Sequence, residues 1–194
     1  MIEDHITKAA EQGDAEAQSM LGGRYLDGSN GVAEDSVEAA KWYRKAAEQG
    51  YALAQSMLGA MYYAGQGVTK DDVEAVKWYR KAAEQGYALA QKTLGHFYCK
   101  GLGVGEDHAE AVKWFRKAAE QGDVVAQYNL GNMYDTGDGV TQDAVMAYMW
   151  LNLADAGYIE KAKDKKANVS EKMTDEQIAE AQKLSREWSA KRSK

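Results

Sequence analysis

The stretch ALAQSMLGAMYYAGQGVTKDDVEAVKWYRKAAEQG, residues 52–86, decides the fold. Its first part carries Ala54, Leu58 and Tyr62 at i, i+4, i+8, which draws one apolar line down a helix of about three turns. Its second part carries Ala75, Trp78, Tyr79 and Ala82 at i, i+3, i+4, i+7, the same signal on a wider face. Between them lies Gly65-Gln66-Gly67-Val68, where glycine permits the positive φ that ends one helix and turns the chain. Asp71 then stands as an N-cap with Glu74 three residues on. That spacing predicts a capping box in which the aspartate accepts from first-turn amides and the glutamate reaches back to the cap.

The same reading extends along most of the chain. Glu-Gln-Gly recurs at Glu11-Gln12-Gly13, Glu48-Gln49-Gly50, Glu84-Gln85-Gly86 and Glu120-Gln121-Gly122, at intervals of 37, 36 and 36 residues. Leu-Gly recurs in step at Leu21-Gly22, Leu58-Gly59, Leu94-Gly95 and Leu130-Gly131, and a tryptophan at Trp42, Trp78, Trp114 and Trp150. The box returns at Asp35/Glu38 and Asp107/Glu110 and breaks at Asp143, which Met146 follows. A helix hairpin of this length cannot bury its apolar face alone, so the units stack on a shared core, and the predicted class is an all-α superhelical solenoid of about ten to eleven helices. One solenoid is expected over 1–194, with a half-repeat at 1–13, repeats at 14–50, 51–86, 87–122 and 123–157, and an irregular terminal repeat with a capping helix at 158–194. The half-repeat, with His5 where a tryptophan would stand, reads as a short cap or as the end of a longer array. In the terminal segment, Tyr158 to about Lys166 reads as an irregular helix. A last helix starts at Thr174, whose box closes with Gln177, and runs through Ala181, Leu184 and Trp188. The ten basic and seven acidic side chains of residues 158–194 make a polar end suited to a cap.

Composition bounds the function. With 45% apolar and 28% charged residues over 194 positions, a disordered tail is excluded. No run approaches the roughly eighteen apolar residues of a membrane span, and the first residues are neither a basic nor an apolar leader, so a soluble chain without membrane insertion is expected, cytoplasmic as it stands. An upstream signal peptide would place it in the periplasm or outside the cell. A net charge of −6 has the wrong sign for general nucleic-acid binding. A single cysteine, Cys99, excludes an internal disulfide framework. A monomer is expected, and nineteen glycines beside no proline are accounted for by the recurring turns.

The pattern Ala-x-x-Gln-x-x-Leu-Gly-x-x-Tyr-x-x-Gly-x-Gly-Val-x-x-Asp-x-x-x-Ala-x-x-Trp-Tyr-x-Lys-Ala-Ala-Glu-Gln-Gly, clearest at residues 52–86, resembles the Sel-one-like repeat (SLR) family, α/α relatives of tetratricopeptide repeats. The resemblance spans roughly residues 8–157, and Met173 to Gln182 is similar to the closing helix of many bacterial members. It implies a right-handed α/α superhelix and a bacterial adaptor that holds proteins or peptides. Two departures stand out. Bacterial units commonly place proline after the Gly-x-Gly-Val turn, whereas this chain has Ala33, Thr69, Gly105 and Thr141. The cysteine-rich branch, some of whose members are linked to β-lactam binding or hydrolysis, has paired cysteines in each unit, and Cys99 alone sets this chain outside it.

Catalytic chemistry finds little support. The Gly-x-Gly turns have no preceding strand and no following Gly-Lys-Ser/Thr, so they read as corners rather than phosphate cradles. His96 and Cys99 stand one helical turn apart, a geometry zinc could use, but a site needs three or four ligands, so no metal, cofactor or catalytic residue is expected. The recurring aromatics Trp42, Trp78, Trp114, Tyr25, Tyr62, Tyr98 and Tyr134 are expected to pack the core.

Function then lies where the units differ. Lys92, His96 and Lys100 step by four on the third first-helix, and at 100° per residue Lys92 is about 200° from core Leu94. Equivalent positions are Ser19, Gly23 and Asp27; Ser56, Ala60 and Ala64; and Tyr128, Asn132 and Thr136. First helices line the concave side of tetratricopeptide-like solenoids, so Lys92, His96, Lys100, Tyr128 and Asn132 are expected to form a partner-binding floor. The two lysines suit an acidic segment or a C-terminal carboxylate. A solvated polar face is the alternative for these positions. For the whole chain, the alternatives are a small hydrolase acting on cell-wall-derived or β-lactam-like substrates and one module of a longer protein.

Overall fold

Aspartates open most of the repeat helices: Asp14, Asp35, Asp71, Asp107, Asp123 and Asp143 each accept from a first-turn amide of the helix that follows. The structure, a computed structural model, describes residues 5–192. The outermost residues of the expected half-repeat (1–4) and of the capping helix (193–194) lie outside the described residues. Among the described residues there are eleven helices and no strand, in two compact units, one ending at Glu106 and the other beginning at Asp107.

The first unit holds α1 (His5–Glu11), α2 (Ala15–Asp27), α3 (Ser36–Glu48), α4 (Ala52–Ala64), α5 (Asp72–Glu84) and α6 (Ala88–Lys100), each packed against its neighbours in the chain. Ala54, Leu58 and Met61 of α4 bury against Ala39, Tyr43, Ala46 and Ala47 of α3 and Trp78 of α5. A fully covered leucine such as Leu58 contributes about 2–3 kcal/mol. The glycine after each leucine is a seat for an aromatic ring: a Cβ at Gly59 would stand 3.1 Å from the Tyr79 ring, and one at Gly22 equally close to Tyr43.

Recurrent polar bonds tie the helices together, both within a hairpin and between successive hairpins. The Gln55 side-chain amide donates to the Ala47 carbonyl (3.0 Å) and its oxygen accepts from Gln85 (2.7 Å), so a buried glutamine is satisfied at the end of α3, on a carbonyl that also accepts from the Gly50 amide. Gln18 and Gln91 donate likewise to the Ala10 and Ala83 carbonyls. Arg44 and Arg80 donate to the hydroxyls of Tyr62 and Tyr98 at 2.6 Å, from each second helix to the next first helix. The Asp35 and Asp71 amides donate to the carbonyls of Tyr25 and Tyr62.

That last bond corrects the expected capping boxes. The cap amide is already bonded to the preceding helix, and the Glu38 and Glu74 side chains pair with Lys41 and Lys77 at 2.8 and 2.5 Å. The box at Thr174 does form: its amide donates to Gln177 Oε1 at 2.9 Å, and the Gln177 amide to Thr174 Oγ1 at 3.3 Å.

The second unit holds α7 (His108–Glu120), α8 (Val124–Thr136), α9 (Ala144–Ala156), α10 (Glu160–Ser170) and α11 (Asp175–Arg192). It repeats the same bonds, Arg116 donating to the Tyr134 hydroxyl, Gln127 to the Ala119 carbonyl and the Asp143 amide to the Tyr134 carbonyl. α10 is a regular helix where an irregular one was expected, because Ala162 and Val169 give it a buried side. On α9 the places of the recurring arginine and lysine are taken by Asn152 and Leu153, and Lys166 of α10 bonds Asn152 (3.1 Å) and Asp155. α11 covers α9 with Ala181 and Ser185, and Trp188 meets Trp150 edge-on at 6.1 Å.

Candidate functional site

Lys92, His96 and Lys100 all lie on α6 of the first unit, and Tyr128 and Asn132 on α8 of the second. His96 and Lys100 are exposed; Lys92, Tyr128 and Asn132 are half-buried. Both first helices bury Ala, Gln and Leu and close on a left-handed glycine, Gly101 and Gly137. On α8 the Thr136 hydroxyl donates to the Asn132 backbone carbonyl at 3.1 Å.

One part of the expected floor is wrong in detail. Ser19 and Ser56, equivalent to Lys92, are 5% and 3% exposed. Helical rotation explains this: the row of Ser56 lies on the flank of the helix, about 60° from Leu53, where a small side chain is covered. In the row Leu53, Met57, Ala60 and Ala64 on α4, the exposed residues are Leu53, at 39% exposure, and Ala64, while Ala60 is half-buried and Met57 packs on the core cluster. Periodicity around the leucines did not reveal it, but one signal was present: among the described residues α4 is the one helix with no Asp, Glu, Lys or Arg.

The second helices use their cations otherwise. Lys41, Lys77 and Lys113 pair with Glu38, Glu74 and Glu110, and Lys45, Lys81 and Lys117 sit over Trp42, Trp78 and Trp114 at 3.7, 4.0 and 4.0 Å from the ring centres. The aromatics expected in the core are there, with Trp78, Trp114, Tyr98 and Tyr134 buried and Trp42, Tyr25 and Tyr62 half-buried. A pocket of about 410 Å³ on the second unit is lined by Val112, Lys113, Arg116, Lys117, Glu120 and Gly139, so it falls on these structural pairs.

Titration follows packing. Burial pushes the Tyr79 hydroxyl up to about 12, with Tyr63 adding to it, and burial raises Tyr43 in the same direction. The hydrogen bonds that Lys41 and Lys77 donate to Glu38 and Glu74 hold these lysines above the usual lysine range, and backbone and Thr174 hydrogen bonds at the start of α11 hold Glu176 below the usual carboxylate range. None of these groups lies on α6 or α8. Among the described residues no three His, Cys, Asp or Glu side chains gather as a metal site, and His108 Nδ1 stands 2.7 Å from Asp138. No helix among them is long and apolar enough to cross a membrane.

The family model described as the Sel1 repeat matches residues 15–51, 52–87, 88–123 and 124–154. Among solved structures, the chain is similar to a protective antigen present in uropathogenic Escherichia coli strains that displays an SLR fold. Their TM-score is 0.83 at 38% identity, over 94% of this chain and 39% of that one. It is also similar to a Sel1 repeat protein from Oxalobacter formigenes, with a TM-score of 0.80 at 40% identity, over 84% of this chain and 67% of the other. The chain thus spans well under half the length of the first of these and about two thirds of the second. No match is found among curated proteins.

Proposed function

The chain belongs to the Sel1 repeat family, whose repeats are generally protein-interaction scaffolds, and from that premise we propose that it is a non-catalytic adaptor holding a peptide or protein segment on the first-helix face of its repeats. Within the first unit the proposed contacts are Lys92, His96 and Lys100 on α6; within the second, as a separate set, Tyr128 and Asn132 on α8. One observation carries this reading. Second-helix cations recur in register with fixed structural partners, whereas the side chains on the solvent side of the first helices change from repeat to repeat. Residues that serve the shared core repeat, and residues that serve one ligand need not. An acidic segment suits Lys92 and Lys100, and tyrosine packs beside an apolar side chain at low entropic cost.

The test is to capture the partner from the native cell, then titrate it against Lys92→Ala/Lys100→Ala and, separately, Tyr128→Ala, with helical content checked by circular dichroism. The lysine variant should lose about tenfold in affinity and most of the salt dependence. Full affinity in both variants, with binding lost in Lys77→Ala, would move the site to the second helices and end the proposal.

A further inference from the structure

Taken at one register, the solvent rows of the three first helices in the first unit form a graded series. At 100° per residue, Leu53, Met57, Ala60 and Ala64 of α4 fall within about 60° of one another. The same register selects Glu16, Met20, Gly23 and Asp27 on α2, and Leu89, Thr93, His96 and Lys100 on α6. The α2 row therefore carries two carboxylates, the α4 row no charge at all, and the α6 row an ammonium and an imidazole.

Each row is partly open to solvent, with Gly23, Met57, Ala60 and Thr93 half-buried and Met57 packed on the core cluster. Met20, Leu53 and Leu89 are 48%, 39% and 46% exposed. Helices of this length normally place charge on the solvent side, so a wholly uncharged α4 row is the departure that needs a cause. The helices neighbour one another: Tyr63 of α4 meets Phe97 of α6 with ring centres 5.1 Å apart, and Tyr25 and Leu26 of α2 pack on the cluster that holds Leu58 of α4.

We propose that this row is a docking surface for a short peptide segment with apolar side chains at its centre, a carboxylate at the end lying over α6 and a cation at the end lying over α2. Charge complementarity selects that occupant. A wholly acidic segment would meet Glu16 and Asp27, a wholly basic one would meet Lys100, and only opposite ends satisfy both while the middle covers Leu53 and Ala64. Helices packed about 10 Å apart put the outer rows about 20 Å from each other, which about six extended residues span. The docking row presupposes the peptide-binding role proposed for the first helices and names the chemistry of the peptide.

The experiment is a selection of displayed random twelve-residue peptides on the full chain, followed by titration of the enriched peptides. Leu53→Asp and Ala64→Lys put an acid in the first turn and a cation in the last turn of α4, where the helix dipole favours them, so the fold is kept while the apolar row is broken. Enriched peptides should carry an apolar centre between opposite charges and lose about tenfold or more in affinity in either variant. Asp27→Ala and Lys100→Ala should each weaken them about threefold or more, less so at high salt. Peptides of one sign, or peptides indifferent to both α4 variants, overturn the docking row. If such peptides still fail on Lys92→Ala/Lys100→Ala or Tyr128→Ala, the adaptor reading survives without it. Failure to enrich any peptide, or binding lost only in Lys77→Ala, removes both.

Discussion

Replacing Gly67 by alanine asks why each corner carries two glycines. Gly65 (φ +71°) closes α4 in the left-handed conformation, and Gly67 (φ +67°) has a second reason to be glycine. A Cβ built on it would run into the Ser36 carbonyl and lie 2.9 Å from the Val37 nitrogen, in the first turn of α3. Gly103 stands in the same relation to Asp72 and would come 2.7 Å from the Val73 nitrogen. Gly86 has φ +89° but open space around it, and Gly105 has neither a positive φ nor a neighbour within 4 Å. The strained conformation alone costs an alanine about 1–2 kcal/mol, and forcing a methyl into packed backbone adds about 1–3 kcal/mol. Gly67→Ala and Gly103→Ala should therefore lose about 3 kcal/mol or more, Gly86→Ala about 1–2 kcal/mol, and Gly105→Ala nothing, or gain up to about 1 kcal/mol through the unfolded chain. Urea titration followed at 222 nm, at constant m, gives the ranking, and hydrogen exchange at Val37 and Glu38 locates the damage. If Gly67→Ala proves no worse than Gly86→Ala, close approach to α3 is not what the second glycine serves.

Three further outcomes follow from the packing. Tyr98→Phe should cost about 1 kcal/mol, and adding Arg80→Met should cost less than the separate losses summed, because both remove one bond; strict additivity in the double-mutant cycle would refute the link. Tyr79 has a folded pKa of about 12, raised above its ordinary value of about 10, so its contribution is fully present below pH 10 and is lost as pH rises toward 12. That linkage is worth up to about 2–3 kcal/mol, and Tyr79→Phe should flatten the stability profile over that window; an unchanged slope would deny the burial effect. Deleting residues 174–194 uncovers Trp150 and the α9 surface under Ala181 and Ser185, so the truncated chain should aggregate or melt non-cooperatively, whereas a monomer with unchanged Tm by light scattering and calorimetry would dismiss a capping role.

The difference between what was legible and what was not is one of locality. Leu58, Ala75 and Trp78 declare their helices through spacing alone, since burial imposes a period of 3.6 on the residues it selects. Asp71 declares its cap because the amides it serves lie two and three residues away. Glu74 obeys the same local rule and fails it, because the Asp71 amide is taken by the Tyr62 carbonyl of another helix. The glutamine of Ala-x-x-Gln is similar: a polar side chain that recurs beside core Ala54 must satisfy something buried, but that it serves Ala47 and Gln85 depends on how α3 and α5 meet α4.

The binding row shows the same limit from the solvent side. Stepping by four from Lys92 identifies a row of non-repeating residues, yet a step of about 60° around the helix separates the covered flank of Ser56 from the open row of Leu53 and Ala64. Apolar periodicity locates the core to within one face of a helix, and choosing between neighbouring rows requires knowing where the adjacent first helix lies. What the residues do disclose without that knowledge is composition. A helix that carries no charge, set between one with carboxylates at both ends and one with a histidine and two lysines, gives Met57 and Met61 to the core and still leaves Leu53 and Ala64 exposed. The exposed Leu53 and Ala64 therefore stand as the feature of α4 that packing on the core leaves unexplained, which is where a ligand is to be sought.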